Sequence, residues 1–222
     1  MTKIKLCGLS RTQDIEFVNE ALPDYIGFVF ANSKRQISFE QAKQLKSQLK
    51  EGILVVGVFV NEDIDNVILL CKLNIIDIIQ LHGDEDQDYV NRLRKKLKNP
   101  IIKAARIKHR DDILDAECFE SDYLLLDAYK EGQYGGSGEV FDWTVISDIK
   151  RPFFLAGGID TTNVIDAITK VRPFAIDISS GVETDGVKDK NKILDIITKV
   201  RSVYPCQKAD LASMEDNIYR KH

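Results

Sequence analysis

Several features that mark large protein classes are missing from this chain. Its longest apolar run, ILVVGVFV at 53–60, falls far short of the roughly 20 residues that a membrane-spanning helix requires. The opening MTKIKLCGLS has no apolar stretch of the kind that a secretory signal carries after its basic start. Four cysteines (Cys7, Cys71, Cys118 and Cys206) lie far apart with no CxxC pair. Neither a zinc knuckle nor a disulfide framework is indicated, and reduced thiols in the cytoplasm are expected. No GxGxxG follows the first apolar run, where Cys7-Gly8-Leu9-Ser10 stands instead, so a dinucleotide site is not expected. A basic excess is also missing: 31 Lys+Arg against 35 Asp+Glu leave a formal charge of −4. Nucleic acid is therefore not an expected partner, nor is a membrane. No spacing of His, Cys and carboxylates suggests a metal, and nothing points to a protein partner.

Short β-branched runs bounded by turn residues are abundant. They occupy 3–7, 25–30, 53–60, 75–81, 101–107, 122–128, 152–156 and 174–179. Their apolar stretches are mostly continuous rather than alternating, as in strands buried on both faces. Helix-like segments separate them, at 38–49, 63–72, 86–97, 111–117, 142–148, 162–169 and 191–203. In the first of these, Ser38 with Gln41 forms a capping-box pattern, and Phe39, Ala42, Leu45 and Leu49 share one face. Regular alternation of strand and helix predicts a parallel sheet with right-handed crossovers, and eight units is the count at which such a sheet closes. The expected fold is a single (β/α)8 TIM barrel over 1–205, with 206–222 a C-terminal extension of unassigned role.

In such barrels chemistry sits at the C-terminal ends of the strands. Reading those ends gives Cys7, Phe30, Asn61, His82, Arg106, Asp127, the pair Gly157 and Gly158, and the pair Ser179 and Ser180. Most are polar although the strands that carry them are apolar. LAGGID and DISSGVET put Gly157, Gly158, Ser179, Ser180 and Gly181 after the seventh and eighth strands, where backbone N–H groups can approach a phosphate. A tight turn without ligand is the alternative for either alone. Cys7 can serve as a general base if it ionises, or as a small buried hydrophobe. Asp127, at the end of LLLD, is a partly desolvated carboxyl suited to general acid work, or an ion-paired support for a loop. Arg35, in the second βα loop, can grip a carboxylate bidentately or remain solvated surface. Asp177 either faces the barrel interior and orients a substrate hydroxyl or is a structural aspartate. Lys5 and Lys103, inside strands, fit interior ion pairs, and His82 reads best as a loop-anchoring hydrogen-bond donor.

The motifs KIKLCGLS, YIGFVFANSKRQIS, VVGVFVNE, IIQLHGDE, LLLDA…YGGSGEVFDW, FLAGGIDTTNV and FAIDISSGVETDGVKDKNKI, in this order, resemble the phosphoribosylanthranilate isomerase family of tryptophan biosynthesis. The likeness runs from Lys3 to about Val203. It implies a single β/α barrel and an Amadori rearrangement of N-(5-phosphoribosyl)anthranilate to 1-(2-carboxyphenylamino)-1-deoxyribulose 5-phosphate. By the same resemblance the cysteine of the CG motif, Cys7, is the base and the aspartate of LLLDA, Asp127, the acid. The arginine of SKR, Arg35, would bind the anthranilate carboxylate. The phosphate would sit at Gly157 and Gly158 and at Ser179, Ser180 and Gly181, where a short extra helix begins. No cofactor is implied, the partner is a small phosphosugar, and the Gly-rich stretch 130–143 would close over it. Thr161-Thr162 and Ala105-Arg106 depart from the family's pattern. Two alternatives follow from the residues alone: another phosphosugar isomerase or epimerase, and a non-catalytic barrel that binds a phosphate ligand.

Overall fold

The computed structural model describes residues 1–128, 142–146 and 149–203. Eight parallel strands close in sequence order into a barrel: β1 (Lys3–Cys7), β2 (Tyr25–Val29), β3 (Leu54–Phe59), β4 (Ile78–Leu81), β5 (Ile101–Ile107), β6 (Tyr123–Ala128), β7 (Phe153–Leu155) and β8 (Ala175–Ile178). Among the described residues seven α-helices surround it: α1 (Thr12–Ala21), α2 (Phe39–Lys46), α3 (Ile64–Lys72), α4 (Gln87–Lys96), α5 (Arg110–Glu117), α6 (Val164–Val171) and α7 (Lys190–Ser202). A two-stranded antiparallel ribbon, β9 (Glu183–Thr184) with β10 (Val187–Lys188), interrupts the path from β8 to α7. The barrel expected from strand counting is the fold observed. The proposed extension 206–222, and most of the stretch 130–143, fall outside the described residues. Among the described residues no helix is long and apolar enough to cross a membrane.

Each strand buries both faces, and the period of two sorts its residues between them. On the outer face Ile4, Leu6, Ile26, Phe28, Leu124 and Leu126 join one cluster with helix residues such as Val18, Leu45, Val67 and Leu93. On the inner face Tyr25, Val56, Ile78, Ile102, Leu125 and Phe154 form a separate cluster that fills the lower barrel. Rings of Tyr25, Tyr123 and Phe174 pack round Phe154, with centroids 5.6, 5.7 and 5.7 Å from it. Each such aromatic contact adds about 0.5–1.5 kcal/mol beyond burial.

Helix starts follow capping chemistry. The carboxylates of Asp63, Asp86 and Asp189 each accept a backbone N–H in the first turn of α3, α4 and α7. Ser38 Oγ accepts the Gln41 N–H at 3.1 Å, but the capping box is only half formed. The Gln41 amide instead donates to the Ser10 carbonyl at 2.6 Å, tying α2 to the loop after β1. Helix α1 is absent from the sequence reading because its start carries no Ser, Thr, Asp or Asn cap. Asp14, one turn in, reaches back to the N–H groups of Ser10 and Arg11 at 2.9 and 3.0 Å. The fourth strand begins at Ile78 rather than 75, because Asn74 takes a left-handed φ of 53° and turns the chain after α3. Between β6 and β7 the described residues form one 3-10 turn, Trp143–Val145, where a helix over 142–148 was expected.

Candidate active site

The strands' C-terminal ends open on a cavity of about 680 Å³. Cys7, Arg35, Asp127, Gly157, Gly158, Asp177, Ser179 and Ser180 all line it. Gly181 does not. It stands behind the wall, where a Cβ would lie 2.0 Å from the Ile159 carbonyl oxygen. Only glycine lets the turns after β7 and β8 approach this closely, so Gly181 sets the spacing of the cradle.

Cys7 ends β1 and points inward, buried. Burial pushes its thiol above the ordinary value of 9.0; Lys5 pulls against that push, Asp177 adds to it, and Lys188 pulls against it. The thiol therefore rests protonated. Asp127 projects from the inner face of β6 and is 3% exposed. Its Oδ1 accepts the N–H of Ala128 at 2.9 Å, and its Oδ2 lies 3.3 Å from His82 Nε2. That second contact is close, but His82 Nε2 has no partner in hydrogen-bond geometry.

Arg35 crosses the backbone of Gly8, where a Cβ would sit 2.3 Å from its Cδ. Its fork is engaged with Glu183: Nε donates to Oε1 at 2.7 Å and Nη2 to Oε2 at 2.8 Å. The arginine is neither solvated surface nor a fully open fork. Asp177 faces the barrel interior and is ion-paired there. One oxygen accepts the fully buried Lys5 ammonium at 2.9 Å, and the residue still lines the cavity. Burial works against the Lys5 charge, but Asp177 offsets it, with the Cys7 sulfur adding to the effect once ionised, and the pKa of Lys5 lies above the ordinary 10.5.

After β7, Gly157 and Gly158 take φ of 81° and 63°. The Asn163 side chain braces this turn by donating to the Gly158 carbonyl at 2.7 Å and accepting the Asp160 N–H at 3.0 Å. After β8 the chain enters a 3-10 turn, Ser180–Val182. Ser179 Oγ donates to the Cys7 carbonyl at 3.2 Å, joining this turn to the thiol's strand. The N–H groups of Gly157, Gly158, Ser180 and Gly181 have no acceptor among the described residues. A phosphate is the kind of group such a cradle takes.

The sequence model described as N-(5'phosphoribosyl)anthranilate (PRA) isomerase matches residues 4–199. The chain belongs to this family. It is 48% identical over 203 residues to N-(5'-phosphoribosyl)anthranilate isomerase of Endomicrobium trichonymphae, covering 91% of this chain and all of that one. It is 44% identical over 205 residues to the isomerase of Thermoanaerobacter sp. (strain X514), with 91% and 100% covered. The solved phosphoribosyl anthranilate isomerase of Thermotoga maritima superposes with a TM-score of 0.82 at 33% identity, covering 91% and 100% of the chains. Another, solved in complex with reduced 1-(o-carboxyphenylamino)-1-deoxyribulose 5-phosphate, gives 0.76 at 31% identity with the same coverage.

Within this member of the phosphoribosylanthranilate isomerase family, some strand-end residues are not part of the cavity. Phe30 packs outward between Phe39 and Phe59. Asn61 Oδ1 accepts the Asp84 N–H, and Arg106 pairs with Asp84 at 3.0 Å beside a second hollow. Lys103 faces the helix layer, bonded to Glu85 at 3.0 Å and to the Gly83 carbonyl at 2.9 Å. His82 overturns the loop-anchor reading: its ring turns into the cavity, with Nδ1 2.8 Å from Gln80 Nε2. Residue-by-residue reading also missed Gln80, Asn163, Glu183 and Lys188. Gln80 carried a usable signal, being the one polar residue at an inward position late in an otherwise apolar strand.

Proposed function

We propose that this chain isomerises N-(5-phosphoribosyl)anthranilate to 1-(2-carboxyphenylamino)-1-deoxyribulose 5-phosphate, with Asp127 as general acid and Cys7 as general base. The observation that carries the assignment is the placement of a buried thiol on β1 and a buried carboxyl on β6 in one cavity. That cavity has an arginine on one rim and open backbone N–H groups on the other. Asp127 donates a proton to the furanose ring oxygen as the ring opens to a Schiff base. Cys7 takes the C2′ proton, giving an enolamine that tautomerises to the ketone. The mechanism asks a thiol that rests protonated to work as its thiolate. The ammonium groups of Lys5 and Lys188 are the positive charges that favour that ionisation.

Arg35 holds the anthranilate carboxylate, and the turns containing Gly157, Gly158, Ser179 and Ser180 hold the phosphate. Fixing both ends aligns C2′ and the ring oxygen with base and acid, an orientation effect worth several kcal/mol. Asp177, one oxygen on Lys5, offers the other to a sugar hydroxyl. Free Cys7 is needed as a thiol, which suits a reducing compartment such as the cytoplasm.

The test follows loss of fluorescence of freshly made phosphoribosylanthranilate by wild type, Cys7→Ser and Asp127→Asn. Each variant is expected to lose at least about a hundredfold in kcat, the usual scale of acid–base contributions. Full activity in either overturns the role assigned to that residue. Ligand binding by wild type without turnover would favour the non-catalytic barrel instead.

A further inference from the structure

Neither Glu183 nor Lys188 is an acid, a base or a direct grip in the reaction above, yet both are buried beside it. The hairpin that carries them follows from its sequence. Asp185 and Gly186 take φ of 52° and 79°, the positive pair that a two-residue hairpin turn demands and that Asp-Gly supplies. The resulting register sets Lys188 directly opposite Glu183. Their side chains are only 2% and 8% exposed.

The bonds from this pair reach both ends of the cavity. Lys188 Nζ donates to Glu183 Oε1 at 2.7 Å and to the Ser179 carbonyl at 2.9 Å. Glu183 accepts two donors from Arg35. Arg11 Nη2, itself paired to Asp14, donates to the Lys188 carbonyl at 3.0 Å and fixes the hairpin from the α1 side. The carboxylate stays below its ordinary range: burial opposes its charge, but Arg35 and Lys188 outweigh burial.

We propose that Glu183 and Lys188 form one positioning node that couples the two grips on the substrate. Glu183 orients the Arg35 fork, and Lys188 holds both Glu183 and the carbonyl from which the phosphate turn starts. The proposal rests on the functional reading above, in which Arg35 takes the carboxylate and the Ser179 turn takes the phosphate. Arg35 then meets the substrate with a guanidinium whose plane is already set, and this lowers the cost of ordering it on binding. A single buried ammonium between the two grips means that its loss is felt at both.

Inhibition by two fragments separates the grips: inorganic phosphate for one, anthranilate for the other. Glu183→Gln is expected to raise the anthranilate Ki about tenfold and the phosphate Ki by less than about threefold, the scale of losing charge-assisted bonds on one side only. Lys188→Met is expected to raise both about tenfold, with KM rising more than kcat falls, and Lys188→Arg to restore most of each. Should Lys188→Met fail to fold, the charge-balanced Lys188→Gln/Glu183→Gln variant carries the same expectation for both fragments. A Lys188 variant that weakens only one fragment, or neither, overturns the node. Arg35→Ala distinguishes the two levels. Unchanged anthranilate inhibition there removes the carboxylate reading itself. Weakened inhibition there, with Glu183→Gln and Lys188→Met unaffected, removes only the node.

Discussion

Leu125 and Asp127 stand two residues apart on the same inward face of β6, and between them the barrel interior changes character. The same step separates Ile78 from Gln80 on β4 and Ala175 from Asp177 on β8. Below it lie aromatic and aliphatic side chains in mutual contact. Above it, equally buried, lie a thiol, an amide, two carboxyls and an ammonium. Burial is thus shared by both halves, and what differs is whether it is compensated. The lower half needs no partners, because apolar side chains gain on leaving water. The upper half keeps its charges only through pairs such as Lys5 with Asp177 and Lys188 with Glu183. A polar interior that is costly to hold is also where a proton can be moved in low dielectric.

Breaking one partnership is the severest way to probe this contrast. Lys5→Met leaves Asp177 buried without its cation and should cost about 3–5 kcal/mol of stability in urea unfolding. Adding Asp177→Leu should return most of that stability while activity stays low, because the thiolate loses a neighbouring positive charge. A cost below about 1 kcal/mol would mean the upper half is effectively solvated, and the comparison would fail.

The lower half should respond in one dimension only. Phe154→Ala removes the ring at the centre of the aromatic cluster and should destabilise by about 3–5 kcal/mol. The folded fraction should nevertheless keep kcat within about threefold of wild type. A hundredfold loss of kcat there would show that the two halves do not act separately.

The smallest and most local probe compares two buried thiols. Cys71, on the core face of α3, is pushed up to about 12 by burial, with Asp77 adding to the push. Cys7 is also pushed up, but has Lys5 and Lys188 beside it. Since its thiol rests protonated, iodoacetamide labelling of Cys7 should climb about tenfold per pH unit through pH 9, following the thiolate fraction. Cys71 should remain unlabelled over that range, read by peptide mass spectrometry. Labelling of Cys7 that has already levelled off by pH 7 would mean the lysines overcome burial in the free protein.

Much of this is legible in the sequence. Strand and helix repeat on local periods: five of the seven described α-helices announced themselves by apolar spacing, and α5 was read only as a short segment after the fifth strand. Helix α1 did not, because its cap comes from Asp14 reaching backwards rather than from a residue ahead of the helix. Cys7, Asp127 and the glycine and serine turns were visible because a polar residue at the end of an apolar strand stands out. Glu183 and Lys188 were not, since charged residues flanking an Asp-Gly turn read as ordinary exposed hairpin. Lys5 could be suspected but not paired.

The chain's own local chemistry was enough for eight alternating units, for the end of the barrel at which polar residues collect, and for membership in a family whose motifs span nearly its length. Partnership was another matter. Lys5 meets Asp177 across 172 positions and Arg35 meets Glu183 across 148, contacts that exist only once β8 closes against β1. The direction each strand faces is likewise set by closure, because a run buried on both sides carries no mark of which side is inside. In this barrel that choice separates Leu126, against the helices, from Asp127, one residue later, in the cavity.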